Sequence, residues 1–238
     1  MDSSKNVRAL IFDFDGLIVD SESPGYRAWS ELYESHGCPL PFEKYSACIG
    51  THDGFDLHGY LEEQSGRSID RRALEKACHE RWIELMHAQP LLPGIEGTVT
   101  AAKARGLKLA VASSSTTAWV AGNLEKFGLL HQFDAICSRD HVSAVKPDPA
   151  LYLLALEKLG VVAADAIAFE DSPNGILAAK RAQIFCIVVP NPLTKQLSLE
   201  MADRRLNSPA EFDLDDVRHD RDRQCRVHCR TEKPRARQ

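Results

Sequence analysis

The 238-residue sequence predicts an α/β fold, a doubly wound parallel sheet with a helical insert, on three observations. Short apolar runs rich in β-formers alternate with helical patterns of about ten residues, the rhythm of βαβ units. The helices between strands stop at glycines, the usual left-handed cap. Between Ser23 and Gln89 there is no strand-like run at all, only helical pattern.

The elements follow in order. Val7–Phe14 (VRALIFDF) reads as a buried strand that ends in a turn at Asp15-Gly16. Four helices are then expected: Pro24–His36 before Gly37, Pro41–Cys48, Asp53–Gln64 before Ser65-Gly66, and Asp70–Ala88 with Asp70 as N-cap. Pro90–Gly94 (PLLPG) closes this insert with a stiff linker. Strands are expected at Leu107–Ala112, Phe133–Cys137, Ala166–Phe169 and Phe185–Val189. Helices are expected at Ile95–Arg105, Thr116–Phe127, Ala150–Leu159 and Gly175–Ala182, the first three followed by Gly106, Gly128 and Gly160. An insert at the carboxyl end of a strand lies over the ligand crevice of such a sheet, so 23–89 reads as a lid with hinges near Asp20–Ser23 and Gln89–Pro93. The resulting division is a discontinuous core (1–22 and 90–216), a helical cap (23–89) and a tail (217–238).

Composition narrows the function classes. Hydrophobic residues make up 44% and charged residues 26%, ordinary for a soluble globular chain. A chain of this length buries about 70% of its unfolded surface without disulfides or a structural metal. No apolar stretch approaches the ~20 residues that span a bilayer, and the N-terminus carries no signal-type apolar region, so a cytoplasmic protein without membrane contact is expected. The seven cysteines form no CxxC pair, which predicts reduced thiols. The net charge of −5 hides an asymmetry. Residues 217–238 hold eight Lys/Arg and three Asp/Glu, leaving 21 basic and 31 acidic residues in 1–216. An acidic body is a poor partner for nucleic acid. The basic tail has almost no apolar residues and is expected to be disordered; its Cys225 and Cys229 match no standard zinc spacing. A monomer is expected.

Four clusters fall at the ends of successive predicted strands. Asp13-Phe14-Asp15-Gly16 is one of three Asp-x-Asp pairs, and the one that follows an apolar strand and precedes a glycine turn. Two acids at a sheet's carboxyl edge can serve as nucleophile and general acid/base, and one can also hold a metal. Ser113-Ser114-Ser115 offers hydroxyls and free backbone N–H groups at a helix start, which suit a phosphate oxygen, while Ser115 or Thr116 equally suits an N-cap. In Lys146-Pro147-Asp148-Pro149 two prolines are expected to hold an extended loop, in which Lys146 is either a point charge for a phosphoryl group or an exposed surface lysine. Glu170-Asp171-Ser172-Pro173-Asn174-Gly175 places adjacent acids at a strand end, a donor set for Mg²⁺, or equally the acidic start of a helix.

In combination, IFDFDGLIVDSE, ASSS, KPDP and FEDSPNG resemble the haloacid dehalogenase superfamily of phosphotransferases over about residues 7–210, and most of all its branch of β-phosphoglucomutases and sugar-phosphate phosphatases. The resemblance implies a Rossmann-like core with an inserted helical cap. It implies Asp13 as nucleophile and Asp15 as general acid/base. Phosphate would be bound by Ser113, Ser114 and Lys146, and Mg²⁺ by Asp13, Glu170, Asp171 and the backbone carbonyl of Asp15. The expected substrate is a small phosphate monoester of carbohydrate type, hydrolysed through an aspartyl phosphate. Asp15 argues against the dehalogenases and phosphonoacetaldehyde hydrolases of that superfamily, which lack a second carboxylate there. The mutase is the alternative. Its cap presents a His shortly after the first motif and an Arg in a substrate loop, and here the matching places are Gly25 and 50–53 (GTHD). A catalytically silent binding module is a further alternative, disfavoured because Asp13 and Asp171 are both present. Glu22 and His52 are the cap's candidate substrate contacts.

Overall fold

The structure, a computed structural model, describes residues 7–49 and 54–213. His52 and the expected tail lie outside the described residues. Six parallel strands form one sheet: β1 (Ala9–Phe12), β2 (Lys108–Ala112), β3 (Ala135–Cys137), β4 (Ala166–Glu170), β5 (Phe185–Val188) and β6 (Arg204–Arg205). Their order, β3-β2-β1-β4-β5-β6, is the doubly wound order, in which the chain winds outward from β1 in one direction and then in the other. The α/β expectation therefore holds.

Both faces of the sheet are covered, so its strands are continuous apolar runs rather than alternating ones. Leu10 and Phe12 of β1 join a core with Ile95, Val99 and Ala102 of α5 (Ile95–Ala104) and Val120 and Leu124 of α6 (Thr117–Lys126). Ala9 and Ile11 face the other way, with Leu151 and Tyr152 of α7 (Ala150–Leu159) and Ile176 and Ala179 of α8 (Pro173–Arg181). Ala110, Ala112, Ala166 and Ala168 line this second face, and their small side chains let the helices approach the sheet closely. Gly106, Gly128 and Gly160 sit at positive φ just past their helices, as expected.

The described residues between 22 and 87 fold into α1 (Glu22–Ser35), α2 (Phe42–Tyr45), α3 (Leu57–Ser65) and α4 (Arg71–His87). They share a separate apolar cluster around Tyr33, Leu40, Tyr45, Leu57, Leu61 and Leu74, and no strand occurs among the described residues of the insert. Asp70 caps α4 by accepting from Ala73 N at 3.1 Å, as expected.

Several boundaries differ from expectation. β1 is shorter than 7–14 because the chain turns at Asp15, where Gly16 N donates to Val19 O at 2.8 Å. The helix expected over 41–48 is one α-turn followed by a tighter turn at Ser46–Cys48. The helix expected from Asp53 starts at Leu57, because Asp56 is its cap, accepting from Gly59 N at 2.9 Å. β6 was not expected: two arginines carry no apolar signature, yet they pair with Ile187 and Val188 at the sheet edge. The 146–149 loop is not extended. Asp148 N bonds back to Val145 O at 3.0 Å, which folds it into a tight turn, and the Lys146–Pro147 peptide is cis.

Candidate active site

The register of the sheet assembles the site. Phe12 pairs with Phe169 of β4 and with Val111 of β2, and the Phe12 and Phe169 rings stack at 4.9 Å. The next residue along β1, Asp13, therefore stands beside Glu170 on one side and Ala112, just before Ser113, on the other. Its N–H continues the ladder to Phe169 O at 2.9 Å. Parallel strands end on the same edge, so motifs more than a hundred residues apart meet there.

Lys146 is 2% exposed, which overturns the surface-lysine reading. Its Nζ donates to Asp13 Oδ1 at 2.6 Å and Glu170 Oε1 at 2.7 Å, and Tyr152 OH also donates to Glu170 Oε1. Asp13, Glu170 and Asp171 are buried, with one oxygen of each within 4.8 Å of the others. One ammonium faces three carboxylates, an uncompensated excess of negative charge in a low-dielectric place. Burial pushes Asp13 up to about 7; Lys146 opposes this and is outweighed once Glu170 and Asp15 add their charges. Asp171 is raised well above the usual carboxylate range by burial, then by Asp13 and Glu170. Burial works against the charge of Lys146, but Asp13 and Glu170 more than offset it and raise its pKa. A hard divalent cation fits this set: three oxygen donors, buried, carrying charge the protein leaves unneutralised.

Two glycines make room for the acids. A Cβ on Gly16, which has φ +80°, would lie 2.3 Å from Asp171 Oδ2, and one on Gly175 would lie 1.9 Å from Glu170 Oε2. Asn191 Nδ2 donates to Asp171 Oδ2 at 2.8 Å and to the Gly16 carbonyl at 3.2 Å, tying the first turn to the acidic loop. Ser172, the N-cap of α8, accepts from Gly175 N at 3.2 Å.

Asp15 is oriented separately. Its Oδ2 accepts from Ser115 Oγ at 2.6 Å and Ser113 Oγ at 3.3 Å, and its Oδ1 accepts from Trp119 Nε1 at 3.0 Å. Alternation along an extended strand does not place this carboxylate, since the strand has already ended; the glycine turn and the start of α6 do. Thr116, one of the two expected caps, accepts from Trp119 N at 3.3 Å, which leaves Ser115 to hold Asp15. Ser113 is fully buried.

A cavity of about 360 Å³ opens between the insert and the sheet edge. Asp15, Ser114 and Ser115 line it from the core, and Glu22, Gly25, Trp29, Tyr45, Glu75, His79 and Trp82 from the insert. Its described lining has three aromatic rings, two glutamates and neither Lys nor Arg. Glu22 was expected there; Trp29, Tyr45, His79 and Trp82 read in sequence only as ordinary helix residues. Ser115, Trp119, Tyr152 and Asn191 were likewise missed as site residues. Ser115 had a signal in its place in the serine triplet, while Asn191 and Tyr152 lie outside every motif.

The geometry agrees with the comparisons. The chain belongs to the haloacid dehalogenase-like hydrolases, whose family model matches residues 10–189. It is 46% identical over 208 residues to "Putative phosphatase YhcW" of Bacillus subtilis (strain 168), covering 87% of this chain and 94% of that one. It is 31% identical over 220 residues to hexitol phosphatase B of Escherichia coli (strain K12), covering 91% and 99%. The crystal structure of CbbY from Rhodobacter sphaeroides in complex with phosphate superposes with TM-score 0.69 at 32% identity, covering 86% of this chain and 96% of that one. The expectation of a phosphoric monoester hydrolase agrees with the family and with these relatives. Among the described residues no helix is long and apolar enough to cross a membrane.

Proposed function

We propose that this chain is a divalent-metal-dependent phosphatase of small phosphorylated carbohydrates. The observation that carries this reading is the buried Asp13, Lys146, Glu170 and Asp171 constellation beside a separately held Asp15, under a cavity large enough for a sugar. Asp13, Glu170, Asp171 and the backbone carbonyl of Asp15 would hold Mg²⁺, which when bound supplies positive charge against the phosphoryl oxygens. Lys146 adds a fixed positive charge, and Ser113 and Ser114 add polar groups for the phosphate. An Asp13 carboxylate oxygen attacks phosphorus in line. The P–O bond to the sugar breaks, its electron pair stays on the leaving oxygen, and Asp15 gives that oxygen a proton. Asp15 then takes a proton from water as the water oxygen attacks the same phosphorus and releases Asp13.

The insert acts as a cap that excludes water and reads the leaving group, with 1–22 and 90–216 as the catalytic core. Trp29, Tyr45 and Trp82 offer faces for sugar C–H groups, and Glu22, Glu75 and His79 offer partners for hydroxyls. His52 remains a candidate contact. The mutase reading is weaker. A Cβ at Gly25 would lie 2.5 Å from the Tyr45 hydroxyl, so Tyr45 occupies the space a His side chain would need. The described cavity wall also offers neither Lys nor Arg to a second phosphate. The test is a panel of phosphate monoesters and bisphosphates assayed with wild type and Asp13→Asn. Wild type releases phosphate from monoesters, and Asp13→Asn retains the fold and loses turnover, since an amide does not attack phosphorus. Turnover near wild type in Asp13→Asn, free of contaminating phosphatase, overturns the mechanism; interconversion of sugar phosphates without phosphate release overturns the choice of phosphatase.

A further inference from the structure

We propose that Trp119 is a positioning residue of Asp15, fixing Oδ1 while Ser115 and Ser113 hold Oδ2, and that Trp82 of the insert holds Trp119 in place. The inference rests on Asp15 being the proton donor to the leaving group. Trp119 Nε1–H donates to Asp15 Oδ1 at 3.0 Å. An indole N–H is a donor only, on a rigid ring, so this bond fixes one carboxylate oxygen and with it the rotation of the group about its Cβ–Cγ bond. The Trp119 ring in turn lies against Trp82 of α4, with centroids 4.6 Å apart and planes at 37°. Trp82 is pinned by a second indole bond, Nε1 to the Ser21 carbonyl at 3.2 Å, on the segment that leads from the core into α1. His79, one helical turn earlier, stacks on its ring at 5.6 Å. Two indoles thus join the insert, its entry segment and the acid in one chain of contacts. The contact of α4 with α6 through the two indoles sets where Trp119 stands, and Trp119, with Ser115 and Ser113 on the other oxygen, sets where Asp15 presents its proton. Neither ring takes part in the Asp13, Glu170 and Asp171 cluster, so this chain acts on proton transfer and leaves phosphate and metal binding to other residues.

Two aryl esters whose leaving groups differ in basicity separate positioning from general damage. p-Nitrophenyl phosphate releases an anion that is stable without a proton, whereas phenyl phosphate needs the acid far more. kcat/KM includes only steps through cleavage of the ester P–O bond, so the later hydrolysis of phosphorylated Asp13 does not enter it. Trp119→Phe retains a stacking ring and removes the donor. It is expected to lower kcat/KM for phenyl phosphate roughly 10-fold or more while p-nitrophenyl phosphate stays within about 2-fold. Trp82→Ala leaves every hydrogen bond to Asp15 in place and removes the stack; it is expected to shift the ratio the same way by a smaller factor. Circular dichroism and Tm establish that each variant is folded. Equal losses on both esters, or an unchanged ratio, in folded Trp119→Phe overturn the proposal. If that variant does not fold, an unchanged ratio in Trp82→Ala overturns it instead. Wild type that hydrolyses neither ester overturns the phosphatase reading, and the inference with it.

Discussion

Glu22 stands in the first turn of α1, half-buried, within the field of three other carboxylates. Burial and the charges of Asp15, Asp13 and Asp20 push it up to about 8. An acid whose folded pKa lies above its unfolded value contributes stability that is complete below the unfolded value, 4.5 here, and is lost as pH rises through about 8. Glu22→Gln mimics the protonated form at every pH. In metal-free buffer its Tm is therefore expected to match wild type near about pH 5 and to exceed it increasingly toward about pH 9. A Tm difference that does not change with pH would show that Glu22 titrates as an ordinary surface acid. At this scale the sequence was informative wherever chemistry was unusual for its place. Two acids around a strand end and a glycine turn singled out Asp13 and Asp15. Trp82 and Trp119 gave no such sign, because an aromatic residue in a helix is what any core requires.

At the scale of the element, α8 shows how a cap serves a site. Its first residue is Pro173, and the N-cap Ser172 is almost fully buried, directly after Glu170 and Asp171. The Ser172 hydroxyl satisfies Gly175 N, and Gly175 is the residue whose missing Cβ leaves room for Glu170. Ser172→Ala is expected to cost about 1 kcal/mol of stability from the lost cap, read as a lower denaturant midpoint. It should also weaken Mg²⁺ binding, because the turn that carries both acids loosens. A midpoint within error of wild type would mean that another group satisfies Gly175 N. The helices of the sheet were legible because their apolar faces and terminal glycines are local signals. The starts of α1 and α3 were less so. Asp20 accepts from Ser23 N at 3.0 Å and α1 begins at Glu22, before Pro24, while Asp56 caps α3, which starts at Leu57 rather than at the expected 53. Several polar residues near a helix start can cap it, and the packing of the following turn selects among them.

For the whole molecule, a divalent cation held by the buried acids would enter the folded state's energy balance. A ligand that binds only the native form raises Tm by mass action. Mg²⁺ is expected to raise Tm and to be required for turnover, and EDTA to reverse both. Full activity in chelator, with Tm indifferent to Mg²⁺, would refute the metal site. The same balance accounts for Lys146. It is the one cation reaching both Asp13 and Glu170 among the described residues, and without it each acid would be buried with less compensation.

The sequence by itself determined the alternation of strands and helices, the helical insert after β1, and the four motifs at strand ends, because periodicity, glycine stops and acid pairs are local properties. The tertiary structure decided what those motifs do to one another. Strand order and register brought Asp13 beside Glu170, although 157 positions separate them in the sequence. A tight turn buried Lys146, which sequence left equally at the surface. The packing of α1 and α4 over the sheet edge made one cavity from the motif residues Asp15, Ser114 and Ser115 and from aromatic residues that carry no motif. Contacts of this kind depend on where elements pack rather than on which residues are neighbours in the chain, so no local pattern encodes them.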